Sequence, residues 1–390
     1  MNPLAWIDDQ LHALQRRNLL RRLPAALKSQ GAVVQCDGKP LVNFASNDYL
    51  GLASDPRLVE AAVNACRTSG VGRGASPLVC GRSTEHEELE RRLAALEGTE
   101  AALVFPSGFA ANAGTVPALA GRGDAIYADA KNHASLIDGC RLSRAETHVY
   151  PHADAAALGR MLEQSRGYRR RLIITDTLFS MDGDLAPLRE IAALAERYEA
   201  MLLVDEAHAT GVFGERGRGV AEALGVEGAG VVRVGTMSKA LGSAGGFVCG
   251  PRPLVEWLVN RARSYVFSTA HPASASAAAM AALEIIVAEP MRRVRLLETA
   301  GRVRDRLRAQ GWNTGASASQ IVPVVVGAAA AAVQLSQRLR ERGYWVPAIR
   351  PPSVPPGESL LRLSLTASHT AEMIDGLLEA LGQCRLPPAT

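Results

Sequence analysis

Across residues 101–250 short apolar runs alternate with amphipathic ones. "AALVF", "RLIITD", "MLLVDEA" and "VVRVGT" are short, mostly apolar runs, continuous rather than alternating, the pattern of buried strands. "LAPLREIAALAERYEA", between the second and third runs, repeats its apolar positions with helical period. This strand–helix–strand rhythm predicts an α/β protein with a large, mainly parallel sheet and helices on both faces. Ahead of it, "STEHEELERRLAALEG" predicts a helix: Thr84 and Glu87 have the spacing of a capping box, and Gly98 ends it.

The pattern changes at both ends. Leu4, Ile7, Leu11 and Leu14 recur at helical spacing, which predicts an amphipathic docking helix, while Asp8 and Asp9 exclude a secretory signal. After about residue 290 a helix, a strand and a helix precede "YWVPAIRPPSVPPGESLLRLSLTASH", two strand-like runs around a proline-rich loop. That predicts a smaller α+β C-terminal domain. The expected division is an arm at 1–45, a large domain at 46–288 and a small one at 289–390. The uncharged stretch 309–337 is long enough to suggest a membrane span, but Pro323, Gly327 and its serines and glutamines make it a strand, a turn and an alanine-rich helix.

Composition narrows the classes. The 390 residues are 47% hydrophobic and 21% charged with net charge +4, and no block of like charge points to nucleic acid. The six cysteines contain no CxxC, so no metal site or disulfide framework is expected and a reducing cytoplasm is.

Candidate chemistry starts from a rare residue type. Only four lysines occur, at 28, 39, 131 and 239, and Lys239 lies in the small-residue loop "GTMSKALGSAGG". Upstream, "LLVDEAHATG" ends an apolar strand at Asp205, with His208 three residues on. The same letters, DEAH, mark a group of helicases. Those need a GxxxxGK[ST] loop, and the one Gly-Lys pair, Gly38–Lys39, has no such frame. Taken together, Lys239 and Asp205 fit pyridoxal phosphate (PLP): a primary amine forms the imine, and a carboxylate keeps the pyridine nitrogen protonated. Taken singly, the first is equally a lysine in a flexible turn and the second a structural aspartate. "FPSGFAANAG" sets Gly108 and Phe109 between a strand and a small-residue helix, where backbone N–H groups can hold a phosphate, with Thr236 and Ser238 adding hydroxyls. His133 in "NHASLIDG" can stack on a pyridine ring, and Ser180 in "LFSMDGD" can reach a phenolic oxygen; alone, the first is an ordinary polar surface or core histidine and the second a turn serine.

These motifs, with "NFASNDYLGL", "VDEAHATGVFGERGRG" and "AIRPPSVPPGESLLRLSLTASH", resemble the α-oxoamine synthases over nearly the whole chain. Those are fold-type I PLP enzymes that join an amino acid to an acyl thioester with loss of CO2. "AIRPPSVP" is most similar to the members that use L-alanine and a pimeloyl thioester, carried on coenzyme A or acyl carrier protein. Glycine-using synthases and a PLP aminotransferase are the alternatives.

The resemblance implies that Lys239 holds the cofactor and moves protons at Cα, and that Asp205 pairs with the ring nitrogen. It implies that His133 stacks on the ring and that His208 and Ser180 address the phenolic oxygen. Gly108, Phe109 and Thr236 serve the cofactor and its phosphate. Ser268 and Thr269, in "YVFSTA", reach the phosphate of a neighbouring subunit, which implies a homodimer with shared sites. Asn47 lies near the substrate, Arg362 holds the amino-acid carboxylate, and Arg21, or equally Arg22, contacts the acyl group. Ser353, a substrate-binding position in the proline-rich loop, stands where threonine is usual and keeps its hydroxyl; Leu360 replaces a common arginine.

Overall fold

A computed structural model describes residues 2–21, 23, 31–36, 38–228 and 230–384. The chain divides into two compact units, one made of Asn47–Ser180 and Asp184–Leu297, the other of Met1–Ser46, Met181–Gly183 and Glu298–Thr390. The division at Leu297 falls inside the helix Met291–Ala309.

The larger unit is built on a seven-stranded sheet. Its strands are β1 (Ala101–Phe105), β2 (Ala125–Asp129), β3 (Glu146–Tyr150), β4 (Arg171–Asp176), β5 (Met201–Asp205), β6 (Val231–Thr236) and β7 (Gly246–Gly250). Their order is β1-β7-β6-β5-β4-β2-β3, and β7 runs opposite to the other six. The four apolar runs picked out from the sequence are β1, β4, β5 and β6. They are buried on both faces; Leu103, Ile174, Leu203 and Val234 from these strands share one core with Val116, Leu136 and Leu258 from the helices. Ile174 and Leu203 are fully buried, so truncation to alanine costs about 2–5 kcal/mol.

The helix Thr84–Glu97 forms as expected, with Gly98 left-handed at its end, but its cap lies one residue earlier than the capping-box spacing suggested. Ser83 has extended backbone angles and accepts the His86 N–H, so Thr84 is already the first helical residue.

The smaller unit joins the two ends of the chain. Ile321–Gly327, Ser359–Ser364 and Ala348–Ile349 form one three-stranded sheet. In the other, the hairpin strands Val33–Cys36 and Lys39–Asn43 are joined by Tyr344–Trp345, which runs parallel to the second of them. The amphipathic helix spans Trp6–Arg16 and buries none of its residues in this chain. Among the described residues, no single helix is long and apolar enough to cross a membrane.

Candidate active site

Open parallel sheets leave a crevice at the carboxyl ends of their strands. Here β2, β4 and β5 all end on aspartate: Asp129, Asp176 and Asp205. Asp176 and Asp205 are paired across neighbouring strands. Burial and the Asp205 charge push the pKa of Asp176 well up, although it accepts the His133 backbone N–H at 2.7 Å.

Asp205 is 4% exposed, and donors meet both of its oxygens. Oδ2 accepts from Asn112 Nδ2 at 2.6 Å and Oδ1 from the Ala207 N–H at 2.8 Å. Asn112 also donates to Ser135 Oγ at 2.9 Å, and Ser135 Oγ lies 2.8 Å from His133 Nδ1. With its oxygen accepting from Asn112, the Ser135 hydroxyl donates to the imidazole. The Ser135 backbone N–H points at the same Nδ1 at 3.3 Å. Nδ1 is therefore an acceptor, and a neutral His133 carries its proton on Nε2. His133 is solvent-accessible, yet the protein around it excludes enough water to hold its pKa below the usual histidine value. The Asp205 charge opposes that shift and the Lys239 charge reinforces it.

Lys239 is half-buried in a loop closed on itself. The Met237 N–H and the Thr236 hydroxyl both donate to the Gly245 carbonyl, at 3.0 and 2.7 Å, and the Ser243 N–H returns to the Met237 carbonyl at 2.9 Å. The lysine charge lowers the pKa of both His133 and Asp176, which sets its ammonium within their electrostatic reach.

The glycine turn lies against the same loop. Ser107 caps the helix Gly108–Leu119 by accepting the Ala110 N–H at 3.1 Å. A Cβ on Gly108 would stand 3.2 Å from Thr236 Cβ, and one on Gly246 would stand 2.5 Å from the Gly108 nitrogen. A side chain at Gly246 would push the helix start away from β7, and one at Gly108 would crowd Thr236 at the end of β6. With the Ala110 N–H taken by Ser107, the Gly108 and Phe109 N–H groups are the first-turn donors left for an anion, next to Thr236, whose hydroxyl donates to Gly245. Phe109, next in the turn, is 46% exposed.

His208 is buried three residues past β5, with Nδ1 2.6 Å from the Tyr49 hydroxyl. That hydroxyl donates to Asn47 Oδ1 at 3.1 Å, so it accepts from His208 and fixes the imidazole proton on Nδ1. Ser180 follows Phe179 in a hairpin closed by the Leu178–Leu185 bridge. Ser268 is half-buried and Thr269 exposed beyond the short helix Arg263–Val266. Among the described residues, the hydrogen bonds joining the cluster do not include either of them.

In the smaller unit, Arg362 is 5% exposed on the strand Ser359–Ser364, opposite Pro323. Arg21 Nη2 reaches the Pro351 carbonyl at 3.4 Å and Ser353 Oγ at 3.5 Å, joining two predicted substrate residues 332 positions apart. Arg22, the alternative to Arg21, lies outside the described residues.

Sequence reasoning passed over Asn112, Ser135, Tyr49 and Asp176. The one available signal was Asn112, a polar residue in an otherwise small and apolar helix, buried to 1% exposure.

The chain is 52% identical over 388 residues, 99% of itself and 97% of the relative, to 8-amino-7-oxononanoate synthase of Anaeromyxobacter dehalogenans. It is 46% identical to the enzyme of that name in Symbiobacterium thermophilum, covering 97% of each chain. Among solved structures it resembles serine palmitoyltransferase of S. paucimobilis, which has a bound PLP–myriocin aldimine. The TM-score is 0.92 at 32% identity, covering 98% of this chain and 97% of that one. It also resembles 8-amino-7-oxononanoate synthase of Francisella tularensis, with TM-score 0.75 at 28% identity, covering 88% and 97%. The profile for aminotransferase class I and II matches residues 39–381. With that profile and those relatives, the chain belongs to the aminotransferase class I and II family, on the branch of the 8-amino-7-oxononanoate synthases.

Proposed function

We infer that the protein is a PLP-dependent acyltransferase of biotin biosynthesis. It condenses L-alanine with a pimeloyl thioester and yields 8-amino-7-oxononanoate, CO2 and free thiol. The observation that carries the reading is the hydrogen-bonded chain from the accessible His133 through the buried Ser135 and Asn112 to Asp205, beside the charge of Lys239. The residues fit the cofactor: a buried acceptor-only carboxylate for a ring N–H, a neutral imidazole for its face, an amine, and a glycine-lined cradle for its phosphate.

PLP supplies an electron sink for the carbanion formed at the amino-acid Cα. Asp205 holds the proton at the ring nitrogen, its charge oriented by Asn112 and Ala207. Lys239 retains the cofactor through its amine, removes the Cα proton, and returns a proton after CO2 has left. His133 covers the ring face. His208, its tautomer set by Tyr49, and Ser180 address the phenolic oxygen. Gly108, Phe109 and Thr236 hold the phosphate, joined by Ser268 and Thr269 supplied across a homodimer. Asn47 lies near the substrate, Arg362 takes the carboxylate of L-alanine, for which a guanidinium fork is suited, and Arg21 with Ser353 contacts the acyl donor. In this reading 1–45 is an arm, 46–288 the cofactor-binding domain and 289–390 the small domain. A cytoplasmic setting fits six cysteines without a disulfide.

Serine palmitoyltransferase is a second reading, favoured by its higher TM-score, but identity of 46–52% over nearly the whole chain supports the alanine-using enzyme more strongly. The test supplies L-alanine, glycine or L-serine with pimeloyl-CoA, pimeloyl-acyl carrier protein or palmitoyl-CoA and follows thiol and CO2 release. Turnover should be fastest with L-alanine and a pimeloyl donor. Preference for another pair, or a keto acid formed without CO2, would refute it.

A further inference from the structure

The third strand-end aspartate has no part in the cofactor set. Asp129, which ends β2, is gripped from two loops. Its Oδ1 accepts the Lys131 N–H at 2.8 Å, and its Oδ2 accepts the Ala153 N–H at 2.8 Å. Between Asp129 and a second carboxylate lies His152. Nδ1 is 2.9 Å from Asp129 Oδ1, and Nε2 is 2.9 Å from Asp184 Oδ2. An ionised carboxylate only accepts, so both ring nitrogens must carry hydrogen, and the geometry requires an imidazolium. Burial by itself would lower the histidine pKa; its hydrogen bonds to Asp129 and Asp184 overcome it and raise the value to about 9.

Asp184 and Phe179 face each other across the hairpin that carries Ser180. The Phe179 N–H donates to the Asp184 carbonyl at 3.0 Å, and the Ala186 N–H donates to the Thr177 carbonyl at 3.1 Å. The His152 ring meets Phe179 edge-on, with centroids 4.4 Å apart and planes at 90°. One charged ring thus holds both sides of the hairpin, by an ion pair on one and an aromatic contact on the other. The aromatic contact is one residue before Ser180, and the far end of the clasp is anchored to the sheet through Asp129.

We propose that His152 is a positioning residue for Ser180, clasping its hairpin to the carboxyl end of β2 so that the hydroxyl is held toward the cofactor's phenolic oxygen. This rests on the role given to Ser180 above. The experiment compares purified wild type, Ser180→Ala, His152→Gln, Asp184→Asn and the double variant Ser180→Ala/His152→Gln, each loaded with PLP. Three quantities are read: the melting temperature of the apoprotein, the apoprotein's affinity for PLP, and the pH midpoint of the bound cofactor's visible spectrum. Ser180→Ala should move the spectral midpoint by about half a unit or more, a threefold change in the proton equilibrium. His152→Gln and Asp184→Asn should move it in the same direction, within twofold of that change, and the double variant should add nothing further. Asp184→Asn keeps the side-chain shape and stands in if His152→Gln does not fold. A midpoint that stays at the wild-type value in the clasp variants, while Ser180→Ala shifts it, overturns the clasp alone, even if they melt earlier. No shift in Ser180→Ala overturns the role of Ser180 and the clasp with it.

Discussion

Replacing Asp205 by asparagine removes a charge while keeping its shape, and the neighbours set how much else changes. In the native protein both carboxylate oxygens face N–H donors, from Asn112 and Ala207. An amide offers one oxygen and one NH2 group, so one contact becomes donor against donor. Asn112 can relieve this by rotating, because its Oδ1 is buried without a hydrogen-bond partner and would then accept from the introduced amide, at the cost of its hydrogen bond to Ser135 Oγ. The rotated Asn112 NH2 takes the vacated position, and a buried N–H is orphaned in either arrangement. The stability cost is about 1–3 kcal/mol, enough to lower the apoprotein's melting temperature without unfolding it. The chemical cost is larger. A unit charge pair at ~4 Å with an effective dielectric of ~20 is worth about 4 kcal/mol, close to a thousandfold in rate. The assay is exchange of the L-alanine Cα proton in D2O, followed by NMR with the cofactor saturating. Exchange should fall about a thousandfold on that estimate while PLP is still bound. Exchange near the wild-type rate would refute the assignment of Asp205 as the residue that keeps the ring nitrogen protonated.

Borohydride reduction of the loaded protein should attach the cofactor to Lys239, and Lys239→Ala should lose the attachment and turnover; a label on Lys39 or Lys131, read by peptide mass, would move the site. Thr269→Ala and Lys239→Ala should each be impaired alone and regain partial activity once mixed subunits exchange, because one site of the heterodimer is then native at both positions. No recovery despite demonstrated exchange would place Thr269 in its own chain's site. His152 gives a pH dependence of stability: its folded pKa of about 9 lies above the unfolded value near 6.5, so its contribution is complete below 6.5 and lost as pH rises through 9. The pH-dependent part of the gap in urea-unfolding free energy between wild type and His152→Gln should be at most about 3 kcal/mol at pH 6 and be lost by pH 10; a gap that widens with pH would contradict the ion pairs.

What could be read from the sequence follows from where the information resides. Lys239 and Asp205 stood out because their chemistry is rare in its setting: an amine in an arginine-biased chain, and an acid ending an apolar run. β1, β4, β5 and β6 were legible for the same local reason, as each is a mostly apolar run without alternation. β3 is less so, because four of its five positions are exposed or only half-buried. β7 is five residues bounded by glycines, and its place in the sheet depends on β1 and β6, which no local pattern encodes. The supporting residues were hidden by distance. Asn112 meets Asp205 across 93 positions, and Tyr49 meets His208 across 159. Their side chains are ordinary in their own segments and acquire a role only when the sheet brings those segments together.

The smaller unit has a consequence for synthesis. The hairpin at residues 33–43 finds its third strand, Tyr344–Trp345, only after some three hundred more residues have been made. At about 5–20 residues per second the first segment leaves the ribosome and waits roughly 15–60 s for its partner. The seven-stranded sheet is complete at residue 250, so its core can form during that interval. Through that wait the nascent chain also displays the apolar stripe of the helix Trp6–Arg16, where Trp6 and Leu11 are exposed even in the finished chain. A ribosome stalled near residue 300 should therefore carry a protease-resistant core with a cleavable N-terminal tail, and a chaperone that binds short apolar helices would find its target there.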